Sequence, residues 1–139
     1  MALIEQLDAK IYQALKARLD TMSGGIAVVE PDETYPTESD TPFIVVQDVR
    51  FEPDPRCIGD NTRDEHRGTF ELAVMAPLEW THSQLLGVAG IVRSHFPKSL
   101  KLYYDDVKVD IHRTPFAGLT YRDGPFNRLP VSIRWRCSG

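Results

Sequence analysis

The chain closes on residues 127–139, NRLPVSIRWRCSG. Side chains alternate along a strand, so Val131, Ile133, Trp135 and Cys137 share one face and Ser132, Arg134 and Arg136 share the other. The apolar face needs a core. Burying Val131, Ile133 and Trp135 contributes roughly 1.5–3 kcal/mol each. The cationic face needs water, acidic side chains, a partner protein or nucleic acid. This pattern predicts a strand in a sheet covered on one side only.

Upstream, LKLYY (100–104) and VKVDIHR (107–113) alternate around Asp105-Asp106 and predict a strand pair or one bent ribbon. Lys108, Asp110 and His112 share the outer face of one strand, as Lys101 and Tyr103 do of the other. RGTFELAVMAP (67–77) is a further strand, with Phe70, Leu72 and Val74 toward the core and Pro77 at its end. FIVVQDVRF (43–51) is rich in β-branched residues, and Ile26–Val29 is a short strand before it. TPFAGLTYRDGPFNRLP (114–130) reads as a turn-rich link into the last strand.

Two helices complete the pattern. In residues 2–22, Ile4, Leu7, Ile11, Leu15, Leu19 and Met22 recur at three-to-four spacing, and the glycines at 24–25 stop the helix. In residues 80–96, Leu85, Ala89, Val92 and Phe96 form the apolar stripe with Leu86 beside it. Thr81 caps the start and Pro97 follows the end. Gly87 and Gly90 each weaken that helix by roughly 1 kcal/mol relative to alanine, and on the flank of the stripe they permit close approach of another element. Helix, strands, helix, strands predicts an α+β fold: a mostly antiparallel sheet with two helices packed on one face, in a single domain over 1–139.

The totals agree with one domain. There are 139 residues, 42% hydrophobic and 26% charged, enough for a core without disulfides or a metal. A net charge of −4 argues against a dedicated DNA-binding module. No apolar run approaches the roughly 20 residues that span a bilayer, and the acid-bearing start MALIEQLDAK is unlike a secretory signal. Cys57 and Cys137 read as reduced thiols of a cytosolic product.

The usual signatures of chemistry are missing. His66, His82, His95 and His112 are scattered, outside any HExxH, and there is no CxxC. Thr81, His82 and Ser83 suit a helix N-terminal turn rather than a triad, and no GxSxG is present. The glycine clusters at 23–25 and 87–90 are not phosphate loops. The acid pairs Asp32-Glu33, Asp64-Glu65 and Asp105-Asp106 lie in turns or loops that they solvate.

The basic residues say more. Arg134 and Arg136, with Lys108 and His112, give the outer sheet face a basic component if their strands are neighbours. Such a face is either solvated with cross-strand ion pairs, or it meets another copy of the protein or lines a channel. Two polar loops, 30–42 and 52–66, are the candidates for partner contacts, with Arg56, Asp60, Arg63 and Asp64 in the second. The same loop carries the one enzymatic alternative, a small hydrolase built on Cys57, Asp60, Asp64 and His66.

Several segments resemble a phage family of small α+β proteins, the tail terminators, also called tail completion or minor tail proteins. They are the amphipathic start ALIEQLDAKIYQALKARL, the run RGTFELAVMAP leading to SQLLGVAGIVRSHFP, and the close VDIHRTPFAGLTYRDGPFNRLPVSIRW, whose LPVSIRW is similar to the family's final strand. The resemblance covers about residues 2–137. It implies a structural protein of the virion tail, present in the host cytoplasm during assembly. It implies a ring, typically of six copies, that caps the tail tube, stops polymerisation and presents a surface to the head. The implied partners are other copies of the chain, the tail tube protein and a head–tail connector protein. DNA is only a transient passenger and no membrane is involved. No cofactor is implied, although some tail terminators assemble more readily with a divalent cation. Another head–tail connector component or a monomeric binding module would share the fold.

Overall fold

Val131, Ile133, Trp135 and Cys137 are at most 1% exposed, while Arg134 and Arg136 stand in solvent. The closing strand divides as its alternation predicts. The computed structural model describes residues 4–22, 26–30, 41–53, 65–104 and 107–138. In chain order the elements are α1 (Ile4–Asp20), β1 (Ala27–Val29), β2 (Phe43–Pro53), β3 (Glu65–Pro77), α2 (His82–His95), β4 (Lys101–Tyr104), β5 (Val107–Ile111), β6 (Phe116–Ala117), β7 (Tyr121–Asp123) and β8 (Phe126–Ser138).

The described strands form one sheet in the order β1-β2-β3-β8-β5-β4, with β6 and β7 also paired to β8. Only β1 and β2 run parallel; every other pair is antiparallel. The long β3–β8 ladder, from Glu65↔Ser138 to Pro77↔Phe126, is its spine. Both helices lie on one face. Ile11, Leu15 and Leu19 from α1 and Leu85, Ala89 and Val92 from α2 share a core with Phe70, Leu72, Val131, Ile133 and Trp135. The helix ends are tied to each other: Arg18 Nε donates to the His95 carbonyl at 2.9 Å, and His95 Nε2 lies 2.7 Å from the Arg18 carbonyl. This is the predicted α+β arrangement.

Three features add to or depart from the elements read in the sequence. Phe43 and Val45 of β2 are buried as fully as Ile44 and Val46, because Val29, Ala73, Met75 and Phe126 form a second apolar cluster with them on the far face. An unbroken apolar run marks a strand buried on both sides. The register slips between Val46 and Asp48, a β-bulge at Gln47 that ends this doubly buried stretch.

The third departure is the link 114–130, which is not a link. It carries β6, β7 and the first third of β8. Gly124, at φ 58°, makes the tight β7–β8 hairpin with Pro125 between the paired Asp123 and Phe126. Pro130 interrupts neither ladder, because it falls between the β7 pairing at 126–128 and the β6 pairing at 131–132. Its carbonyl accepts from Gly118 N–H at 2.9 Å. A Cβ on Gly118 would lie 2.9 Å from Pro130 Cγ, so glycine is what lets the two segments close. Proline and glycine read as loop signals, yet here they build a strand crossing.

Helix α2 begins with a capping box: Thr81 Oγ1 accepts from Gln84 N–H at 3.3 Å, and Thr81 N–H donates to Gln84 Oε1 at 2.8 Å. Its outer ridge is exposed, and a Cβ on Gly87 or Gly90 would meet nothing within 4 Å. No described element makes the close approach that these glycines permit. Gly87→Ala and Gly90→Ala are therefore each expected to stabilise the folded monomer by about 0.8–1 kcal/mol. A denaturant melt shifted downward by either change would contradict an open ridge.

Candidate functional site: a basic concave sheet face

On the sheet face opposite the helices, strand register gathers the cations. Because Val107, Val109 and Ile111 point into the core, Lys108, Asp110 and, just past the strand end, His112 are turned outward. Arg136 pairs with Asp110 on one side and with Arg67 on the other, and Asp110 pairs with Lys101. One rung across β4, β5, β8 and β3 thus reads Lys101, Asp110, Arg136, Arg67. One carboxylate faces three cations, and the Asp110 Oδ2 to Arg136 Nε distance is 3.9 Å. The next rung places Arg134 opposite Thr69, with the Arg134 guanidinium 5.9 Å from the centre of the Phe116 ring.

The face is hollow rather than flat. A concavity of about 440 Å³ lies among Lys98, Lys101, Lys108, Asp110, His112 and Arg136. A smaller one of about 150 Å³ lies among Arg67, Thr69, His112, Arg113 and Arg134. His112 borders both. Its Nδ1 is buried without a hydrogen-bond partner among the described residues, and so is Asp110 Oδ1. Arg93 Nε donates to the Pro115 carbonyl at 2.8 Å and anchors the segment behind Arg113 to α2.

The four residues singled out on this face, Arg134, Arg136, Lys108 and His112, are thus brought together. Reading strand by strand missed Lys98, Ser99, Arg67 and Arg113. Their signal is in the ladder, not in the motif: Arg67 of β3 stands opposite Arg136, and Ser99, at φ 75°, turns the chain so that its N–H meets the Ile111 carbonyl. Arg56, Asp60, Arg63 and Asp64 lie outside the described residues, as do Cys57 and both members of the Asp32-Glu33 and Asp105-Asp106 pairs. The described residues hold no group of three or more His, Cys, Asp or Glu able to bind a metal. No helix among them is long and apolar enough to cross a membrane. The Cys137 thiol is pushed up to about 11, first by burial and then by the Asp110 carboxylate, which makes it a poor nucleophile.

Burial, reinforced by Arg136, Arg113, Arg134 and Arg67, holds the His112 imidazolium below the ordinary histidine value of 6.5. The unfolded chain therefore takes up a proton at this position before the folded chain does. The folded state keeps its full stability above about pH 6.5 and loses some of it as the pH falls below that value. Urea melts from pH 7.5 to 5 are expected to show this fall, and His112→Gln is expected to flatten it. An unchanged slope in the variant would contradict the assignment to His112.

The model of the phage tail terminator protein family matches residues 10–135. The chain belongs to the phage tail terminator family. As a tail terminator it is a structural protein of the phage tail. Solved structures share its fold at low identity. A chain from the virion of a native gene transfer agent particle superposes with a TM-score of 0.70 at 12% identity, covering 96% of this chain and 98% of that one. A second solved chain gives 0.68 at 14% identity, covering 100% and 98%. No curated protein matches. The family match runs from α1 to Trp135 in β8 and takes in Arg67, Lys98, Lys101, Lys108, His112 and Arg134 of the basic face, with Arg136 one residue beyond it.

Proposed function

We propose that this tail terminator assembles as a ring, with six copies as the expected number, on the finished tail tube. The ring stops tube growth and presents the surface on which a head–tail connector protein docks. The family match over residues 10–135 carries this reading. The hollow basic face supports it, since it offers a recessed, charged surface for another protein.

DNA passes such a ring without being gripped. Tight DNA binding scales with the number of phosphates neutralised, and a chain of net charge −4 with Asp110 and Glu71 on the same sheet face is unsuited to it. The test is sedimentation velocity over a range of concentrations, with the chain alone and mixed with tail tube protein. A discrete ring-sized species in either setting supports the reading. A monomer in both overturns it.

A further inference from the structure

We infer that the smaller concavity, walled by Arg67, Arg113 and Arg134, is a seat for one phosphate-type oxyanion, either free phosphate or the terminal phosphate of a small phosphomonoester. The seat belongs to the single chain and is independent of the ring reading above.

The arginines converge from three segments. Arg67 stands opposite Arg136, and Arg134 lies two residues along the same ladder, opposite Thr69. Arg67 and Arg134 are therefore diagonal neighbours on one face, roughly 7–8 Å apart and within reach of each other's long side chains. Arg113 comes from the segment just past β5, which Arg93 Nε anchors by donating to the Pro115 carbonyl at 2.8 Å. The Arg134 guanidinium lies 5.9 Å from the centre of the Phe116 ring, which favours one placement of it. All three border a single hollow of about 150 Å³, together with Thr69 and His112.

Their charge is not compensated. No acid lines this hollow. Among the described residues Arg67, Arg113 and Arg134 form no ion pair, whereas Arg136 approaches Asp110 and Arg128 is bonded to Asp123. Glu71, at the next rung, accepts from Ser132 Oγ at 2.9 Å. On the β2 side the register sets Glu52 beside Arg67 and Arg50 beside Thr69, so these two rungs gain no net counter-charge. The excess is felt at His112, where burial first, and then Arg136, Arg113, Arg134 and Arg67, disfavour the imidazolium. Like charges held together repel, and an anion seated among them turns that repulsion into attraction.

The donors select the kind of anion. Each guanidinium presents a planar fork of N–H donors and no acceptor, and the Thr69 hydroxyl adds a further donor. Three forks outnumber the two oxygens of a carboxylate. A terminal phosphate brings three acceptor oxygens and a charge of about −1.5 to −2 near pH 7, which matches the excess better. A backbone phosphodiester carries one charge, and a strand of them would also run past Asp110 and Glu71 on the same face. The larger hollow contains Asp110, so the phosphate belongs in the smaller one.

Calorimetric titration of inorganic phosphate into the full chain tests this. Saturable one-to-one binding is expected. The ring-proton NMR signals of His112, assigned with His112→Gln, are expected to move in step, while those of His82 and His95 on α2 stay in place. Arg67→Gln, Arg113→Gln and Arg134→Gln are each expected to weaken binding about tenfold, because each removes charge-assisted hydrogen bonds. Lys101→Gln, in the larger hollow, is expected to leave binding nearly unchanged. Denaturant melts confirm which variants fold, and any two of the three arginine variants suffice. Adenosine monophosphate in place of phosphate separates the sources: binding at least as tight as phosphate assigns a phosphomonoester, and weaker binding assigns free phosphate. Absence of saturable binding up to about 10 mM phosphate, the same loss in Lys101→Gln as in the arginine variants, or acetate or a short DNA duplex bound as tightly as phosphate overturns the inference.

Discussion

Trp135→Ala is expected to cost the folded state about 3–5 kcal/mol. That is a large part of the 5–15 kcal/mol that typically separates a domain from its unfolded chain. Trp135 is fully buried at the centre of the sheet, paired with Ile111 of β5 and Gly68 of β3. Gly68 adds no side chain beside the indole, so the strand neighbour on that side cannot collapse into the space that alanine leaves. Both helices rest on the same core, and the variant is expected to melt early or fail to accumulate as folded protein. Trp135→Phe keeps most of the apolar volume and is expected to lose far less. Denaturant melts of the two variants check this. Equal and small losses would mean that the core under β8 is not the one described.

The second large effect concerns the opposite face of the same strand. Arg134→Glu combined with Arg136→Glu is expected to leave a cooperatively folded monomer, because both side chains stand in solvent and exposed changes usually cost within about 0.5 kcal/mol. Losing the 3.9 Å approach of Arg136 to Asp110 adds little, since Arg136 is more than half exposed. Assembly should nevertheless fail. The reversal removes two cations from the concave face and places a carboxylate beside Asp110. The expected result is an unchanged melting curve with the assembled species gone. Loss of the cooperative melt would instead make these arginines part of the fold.

Trp135 and the two arginines show how much was legible in advance. Period-two alternation located the core face of β5, of β8 from Ile133 to Cys137 and of β3 at Phe70–Leu72, and three-to-four spacing located both helices, because each of these stretches is buried on one side only. Where burial is two-sided, as at Phe43–Val46, alternation carries no signal, and the second cluster with Met75 and Phe126 went unseen. The segment 114–130 misled for a different reason. Gly118, Gly124 and Pro130 are turn residues by composition, yet their use is fixed by which strand lies alongside, and that is a tertiary fact.

The candidate site was half legible for the same reason. Arg134, Arg136, Lys108 and His112 could be assigned to outward faces residue by residue. That Arg67 would stand opposite Arg136, and that Lys98 would close the concavity, depends on the sheet order β3-β8-β5-β4, which no local pattern encodes.

Tail tube growth in the presence of the purified chain tests the central claim most directly. Tube protein is polymerised with and without it, and tube lengths and ends are read by electron microscopy. The account predicts that growth stops when the chain is added and that a ring sits at one end of each tube, while the Arg134→Glu/Arg136→Glu variant leaves growth running. Tubes that lengthen at the same rate with bare ends would contradict it.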